Sequence, residues 1–160
     1  MPSKPMIMVL GPSGSGKSTS LEHLPREVTA LIDLERKGMP FKDLGFFKYI
    51  EAKTFSEADI AIKTVQALPE IKIVVIDSIT KYLDYLQLYC ATAFKGQGHE
   101  IWGQFLVKAK SFLNNCKSSN AITIATAIDE IDRVNAKDGT KFDRIQAAVP
   151  GGQLKGKLEA

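Results

Sequence analysis

Gly11-Pro12-Ser13-Gly14-Ser15-Gly16-Lys17-Ser18-Thr19 decides the fold. Five apolar residues, Met6-Ile7-Met8-Val9-Leu10, precede it and read as a short buried strand. Thr19-Ser20-Leu21-Glu22-His23-Leu24 follows and can be helical until Pro25 stops it. A strand, then G-x-x-x-x-G-K-S, then a helix is the context that makes this pattern a phosphate-binding P-loop. The glycines let the backbone turn with its N–H groups aimed inward at phosphate oxygens. The following helix adds the positive end of its dipole. The whole stretch, Gly11, Pro12, Ser13, Gly14, Ser15, Gly16, Lys17, Ser18 and Thr19, is therefore expected to hold a nucleoside triphosphate. Lys17 would reach the β- and γ-phosphates, and the Ser18 hydroxyl would ligate Mg²⁺.

Working outward, Val28-Thr29-Ala30-Leu31-Ile32-Asp33-Leu34 is a second apolar run, with Asp33 and Glu35 at its end. Ligands of open α/β sheets sit at the carboxyl edge, so acidic groups there carry weight. Phe46-Phe47-Lys48-Tyr49-Ile50 reads as a third, shorter strand. Ser56-Glu57-Ala58-Asp59 has the form of a helix start, after which Ile60, Thr64, Val65 and Leu68 share a face until Pro69. Ile71-Lys72-Ile73-Val74-Val75-Ile76 is almost wholly β-branched and apolar, the signature of a strand buried on both faces. It ends in Asp77, in the Walker B position, where the carboxylate orients Mg²⁺ beside the P-loop hydroxyl.

Residues 79–95 read as a helix with Tyr82, Tyr85 and Tyr89 along it. These pack against the sheet or, alternatively, form a base-stacking surface. A break at 95–99 precedes a helix over 100–117, whose apolar stripe is Ile101, Phe105, Ala109, Phe112, Leu113 and Cys116. Trp102 lies off that stripe. A further core strand covers 121–127, and from Asp129 to the end the charges alternate as in a solvated, mobile, loop-rich segment.

The 160 residues, 44% hydrophobic and 24% charged, suit a single globular domain over 1–160. A net charge of +3 permits a nucleic-acid partner without demanding one. Cys90 and Cys116 stand far apart with no histidine cluster, so they read as reduced core thiols of a cytoplasmic chain. No stretch approaches the roughly 20 apolar residues a membrane span needs, so no membrane partner is expected.

Together these segments resemble the RecA-like recombinase ATPases, and in compactness the phage RecA-like proteins of the Sak single-strand-annealing type. Leu31-Ile32-Asp33-Leu34-Glu35 is similar to the family's strand ending in D-x-E, and Val74-Val75-Ile76-Asp77-Ser78 to its Walker B. Phe105 to Asn120 is similar to the element before its sensor strand, and Pro150-Gly151-Gly152-Gln153-Leu154-Lys155 to the end of its second DNA-binding loop. The resemblance implies a three-layer α/β domain with a mainly parallel sheet and helices on both faces. The 121–127 strand would lie between the P-loop and Walker B strands, and the core would be C-terminally shortened. It implies Glu35 as the base that orients water, with Lys17 and Asp77 as its catalytic companions. Its partners would be single-stranded DNA, at a loop near 130–152, and further copies of the chain.

The family's γ-phosphate-sensing glutamine is missing, because the matching region reads Thr126-Ala127-Ile128-Asp129-Glu130. Thr126 and Asp129 are the candidates in its place, and Pro40 and Phe41 are candidates for the adenine. Three functions remain open: an ATPase acting on DNA, a nucleotide-gated DNA-binding module that hydrolyses little, and a nucleoside monophosphate kinase. The last needs an arginine lid, and only Arg26, Arg36, Arg133 and Arg144 are present.

Overall fold

The computed structural model describes residues 4–36, 45–94, 98–135 and 141–148, with only the backbone at 132–135 and 142. Six strands make the sheet: β1 (Met6–Gly11), β2 (Thr29–Asp33), β3 (Lys48–Glu51), β4 (Ile73–Asp77), β5 (Ile122–Asn135) and β6 (Lys141–Ala147). Their order is β1-β5-β4-β2-β3, every pair parallel, while β6 runs antiparallel along the outer half of β5. The strand expected at 121–127 thus lies between the P-loop strand and the strand ending in Asp77.

Among the described residues four α-helices join them: α1 (Lys17–Ser20), α2 (Phe55–Ala67), α3 (Ile79–Ala93) and α4 (Gly98–Ser118). Strand alternation splits the core in two. On one face Ala30, Ile32, Val74, Ile76, Ala125 and Ala127 pack beneath α2, α3 and α4. Tyr82 of α3 stacks on Phe112 of α4 at 4.3 Å and is 1% exposed. The tyrosines therefore pack, with Tyr85 and Tyr89 half-buried against the same core. Trp102 does not stand clear of the protein either: it lies half-buried, stacked on Phe105 at 4.8 Å. On the other face Leu31, Val75 and Ile124 meet Leu21, Leu24 and Phe46, so the short helical segment after the P-loop covers the sheet there.

Three expectations shift. α1 has four residues and passes into a 3₁₀ turn at Leu21–His23, so its dipole adds little to the P-loop amides. α2 starts earlier than Ser56: Thr54 is its cap, accepting from Glu57 N–H, while the Glu57 carboxylate accepts from Lys53 N–H. Its buried face is Ala58, Ala61, Ile62 and Val65, and Ile60 is left 64% exposed. In the segment from 129, residues 129–135 and 141–147 are strand rather than loop, paired antiparallel as a hairpin of β5 and β6. In its register Asp132 stands opposite Arg144 and Arg133 opposite Asp143. Residues 149–160, with the expected Gly-Gly loop, lie outside the described residues.

Candidate nucleotide site

The site is built at the carboxyl edge of the sheet. Asp33 and Asp77 end neighbouring strands in register, and β5 and β1 continue that edge to the P-loop. The loop turns at Gly14 (φ 79°) and Gly16 (φ 84°), left-handed backbone that favours glycine. Pro12, Ser13, Gly14, Ser15 and Gly16 are exposed along the loop and Thr19 on α1, whereas Gly11 is buried. The Lys17 ammonium folds back over the loop, donating to the carbonyls of Gly11 at 2.5 Å and Pro12 at 2.7 Å.

Ser18 Oγ donates to Asp77 Oδ2 at 2.8 Å, across 59 residues of sequence. Thr126 Oγ1 donates to the other oxygen, Oδ1. Asp77 is 1% exposed and Thr126 0%, so the carboxylate is held on both sides away from water. A hydroxyl and a carboxylate this close are hard oxygen donors that fit Mg²⁺, which completes its shell with water and phosphate. When bound there, the ion would supply charge neutralisation at the transferring phosphate. Among the described residues no group of three His, Cys, Asp or Glu could hold a metal by itself.

Glu35 lies just beyond β2. Its backbone N–H and that of Leu34 both point at the Asp77 carbonyl, at 3.3 and 2.7 Å. Arg36 then turns left-handed (φ 56°), and its N–H donates to Asp33 Oδ1 at 2.7 Å. Asp33 is fully buried and also accepts from Tyr49 Oη at 2.8 Å. Burial, and then the Asp33 carboxylate, push the Tyr49 phenol well above its ordinary range, so it stays a donor. The Glu35 carboxylate itself accepts from Ser78 Oγ at 2.6 Å. Ser78 caps α3, its Oγ accepting from Lys81 N–H at 3.3 Å.

Lys17, Ser18, Asp77 and Glu35 thus meet at one edge, joined by Thr126. Asp129 pairs with Ala147 in the hairpin instead. Pro40 and Phe41 lie outside the described residues. Nothing along the chain assigns a role at the site to Ser78 or Tyr49; only the Ser78 position, between a strand and a helix, carries a signal, that of a cap.

The arrangement is that of a P-loop NTPase. Among solved structures it is similar to a prototypical ATPase from the type III secretion system of pathogenic bacteria. The TM-score is 0.61 at 17% identity, over 86% of this chain and 48% of that one. The chain therefore spans about half the length of that protein, and the likeness is one of fold. No curated protein matches the sequence. Residues 3–158 match the family described as AAA domain (AAA_24), and the chain belongs to that family.

Proposed function

We propose that this domain binds ATP on Gly11–Thr19 and hydrolyses it with Mg²⁺ held by Ser18 and Asp77. The observation that carries the proposal is the Ser18–Asp77 contact with Glu35 clamped one residue away at Ser78. Nucleotide entry would draw the Lys17 ammonium from the Gly11 and Pro12 carbonyls onto the β- and γ-phosphates. Glu35 would orient the attacking water.

The substrate on which this ATPase works is, in the same proposal, single-stranded DNA, with phage-type recombination or annealing as its setting. The β5–β6 hairpin supports that reading. It leaves the parallel sheet beyond Ile128, two residues after Thr126, carries Lys141 and Arg144, and exposes Ile131 (69%) and Ile145 (63%) side by side. Positive charge along a groove is what the backbone of a single strand needs. Self-association along the strand belongs to the same proposal.

A second reading, a nucleotide-gated DNA-binding module, is favoured by the continuity of β5 from Thr126 into the hairpin. γ-Phosphate contacts can order such an element without fast chemistry.

The test is ATP turnover with and without single-stranded DNA, for wild type, Lys17→Ala and Glu35→Gln. DNA-stimulated turnover lost in both variants supports the ATPase. Tight ATP binding and DNA binding without turnover favours the gated module. Transfer to a nucleoside monophosphate would replace both with a kinase.

A further inference from the structure

We infer that Ser78 is the positioning residue of the reaction, setting where the Glu35 carboxylate stands. This rests on the reading of Glu35 as the group that orients water.

A serine hydroxyl has one proton to give. Here that proton goes to Glu35 Oε1 at 2.6 Å, the length of a charge-assisted bond, while a lone pair accepts Lys81 N–H at 3.3 Å. Both directions of the hydroxyl are therefore engaged. Ser78 is 1% exposed, so bulk water does not compete for it. Its backbone is fixed as well: it follows Asp77 out of β4 and opens α3 as the cap.

Glu35 is the partner with the longer side chain. It is only half-buried, it lies outside β2, and its side chain has three rotatable bonds. The Leu34 and Glu35 N–H contacts to the Asp77 carbonyl set where the backbone runs, and the Ser78 hydroxyl holds Oε1 of the carboxylate. Because Ser78 is the chain neighbour of Asp77, the carboxylate that orients water is referenced to the carboxylate that faces the metal. A displacement near 1 Å at such a group is enough to cost turnover heavily.

Capping α3 is a separate duty of the same hydroxyl, and the experiment must keep the two apart. Glycine is an acceptable cap without any donor, so Ser78→Gly largely spares the helix, whereas Ser78→Ala removes both functions. The full chain is used for wild type, Ser78→Ala, Ser78→Gly, Glu35→Gln and the Ser78→Ala/Glu35→Gln pair. Hydrolysis is followed with radiolabelled ATP, so that slow variants remain measurable. Affinity is measured separately with a non-hydrolysable ATP analogue, and folding by thermal melting.

The expected result is that Ser78→Ala and Ser78→Gly both lower kcat by about 10- to 100-fold, with analogue affinity within about twofold of wild type. In the Glu35→Gln background, Ser78→Ala lowers turnover no further, since the group it positions is already gone. Wild-type kcat in Ser78→Gly, beside an impaired Glu35→Gln, overturns the positioning role and leaves the reading of Glu35 intact. An equal loss from Ser78→Ala in both backgrounds overturns it too, because Ser78 would then act elsewhere. Wild-type turnover in Glu35→Gln overturns the reading of Glu35 and this inference with it.

Discussion

Thr126 of β5 donates its hydroxyl to Oδ1 of Asp77 on the neighbouring strand β4, and both side chains are buried. Oδ2 of the same carboxylate meets Ser18. A cation entering between Ser18 and Asp77 therefore finds a carboxylate already oriented from behind.

Replacing Thr126 by Val keeps the shape and removes that donor. The buried carboxylate is left with one partner fewer, and unfolding should become easier by about 1–3 kcal/mol, read from denaturant melts. The Mg²⁺ concentration for half-maximal turnover should rise, while Thr126→Ser stays near wild type in both measurements.

Tyr49→Phe makes a comparable deletion one strand further out. Asp33 is fully buried and keeps the Arg36 N–H, so the loss is partial, again about 1–3 kcal/mol of stability. Because Asp33 holds the turn after Glu35, kcat should fall with it. Unchanged stability in Tyr49→Phe would show that water serves Asp33 as well as the phenol does.

The thiols should be silent in the folded protein. Cys90 and Cys116 are both buried, and burial pushes the Cys116 thiol up to about 11 from 9.0. The folded state thus favours the protonated thiol. Its contribution to stability is complete below pH 9 and is lost progressively as pH rises through about 11. Alkylation followed by mass spectrometry at pH 8 should modify neither cysteine until denaturant is added.

The hairpin carries the DNA prediction. Lys141→Glu together with Arg144→Glu should weaken binding of a labelled single strand. The slope of log affinity against log salt should also become shallower, by roughly 0.7 for each phosphate that the hairpin no longer neutralises. Equal affinity and equal slope would remove the hairpin from the DNA-binding surface.

What could be read in advance was what is local. The P-loop residues are contiguous, and each fixed position answers to a backbone need, such as the left-handed turn at Gly16. The strand ending in Asp77 announces itself by an unbroken β-branched run. The placing of β5 beside β1 came through family resemblance, since strand order leaves no mark on periodicity. The α2 start differs from the expected Ser56 because Thr54–Glu57 has the same cap spacing as Ser56–Asp59. Docking of Ala58, Ala61 and Ile62 against the sheet decides between them. Thr126 to Asp77, Ser78 to Glu35 and Tyr49 to Asp33 are contacts across strands, and no pattern along one segment encodes them. The hairpin was hidden for the same reason: its register joins residues 129–135 to 141–147, and nothing within either stretch encodes that.

β5 is a single unbroken strand of 14 residues, embedded between two parallel neighbours at one end and paired in a hairpin at the other. Where the two parts meet, Ile128 N–H is pinned to Thr80 of α3 and the Ile128 carbonyl to Ala148 N–H. From Thr126 to the exposed Ile131 is five residues, about 16 Å of extended chain with no joint in it. Along that one strand Thr126 is bonded to the carboxylate of Asp77, so hairpin and site share a single rigid member.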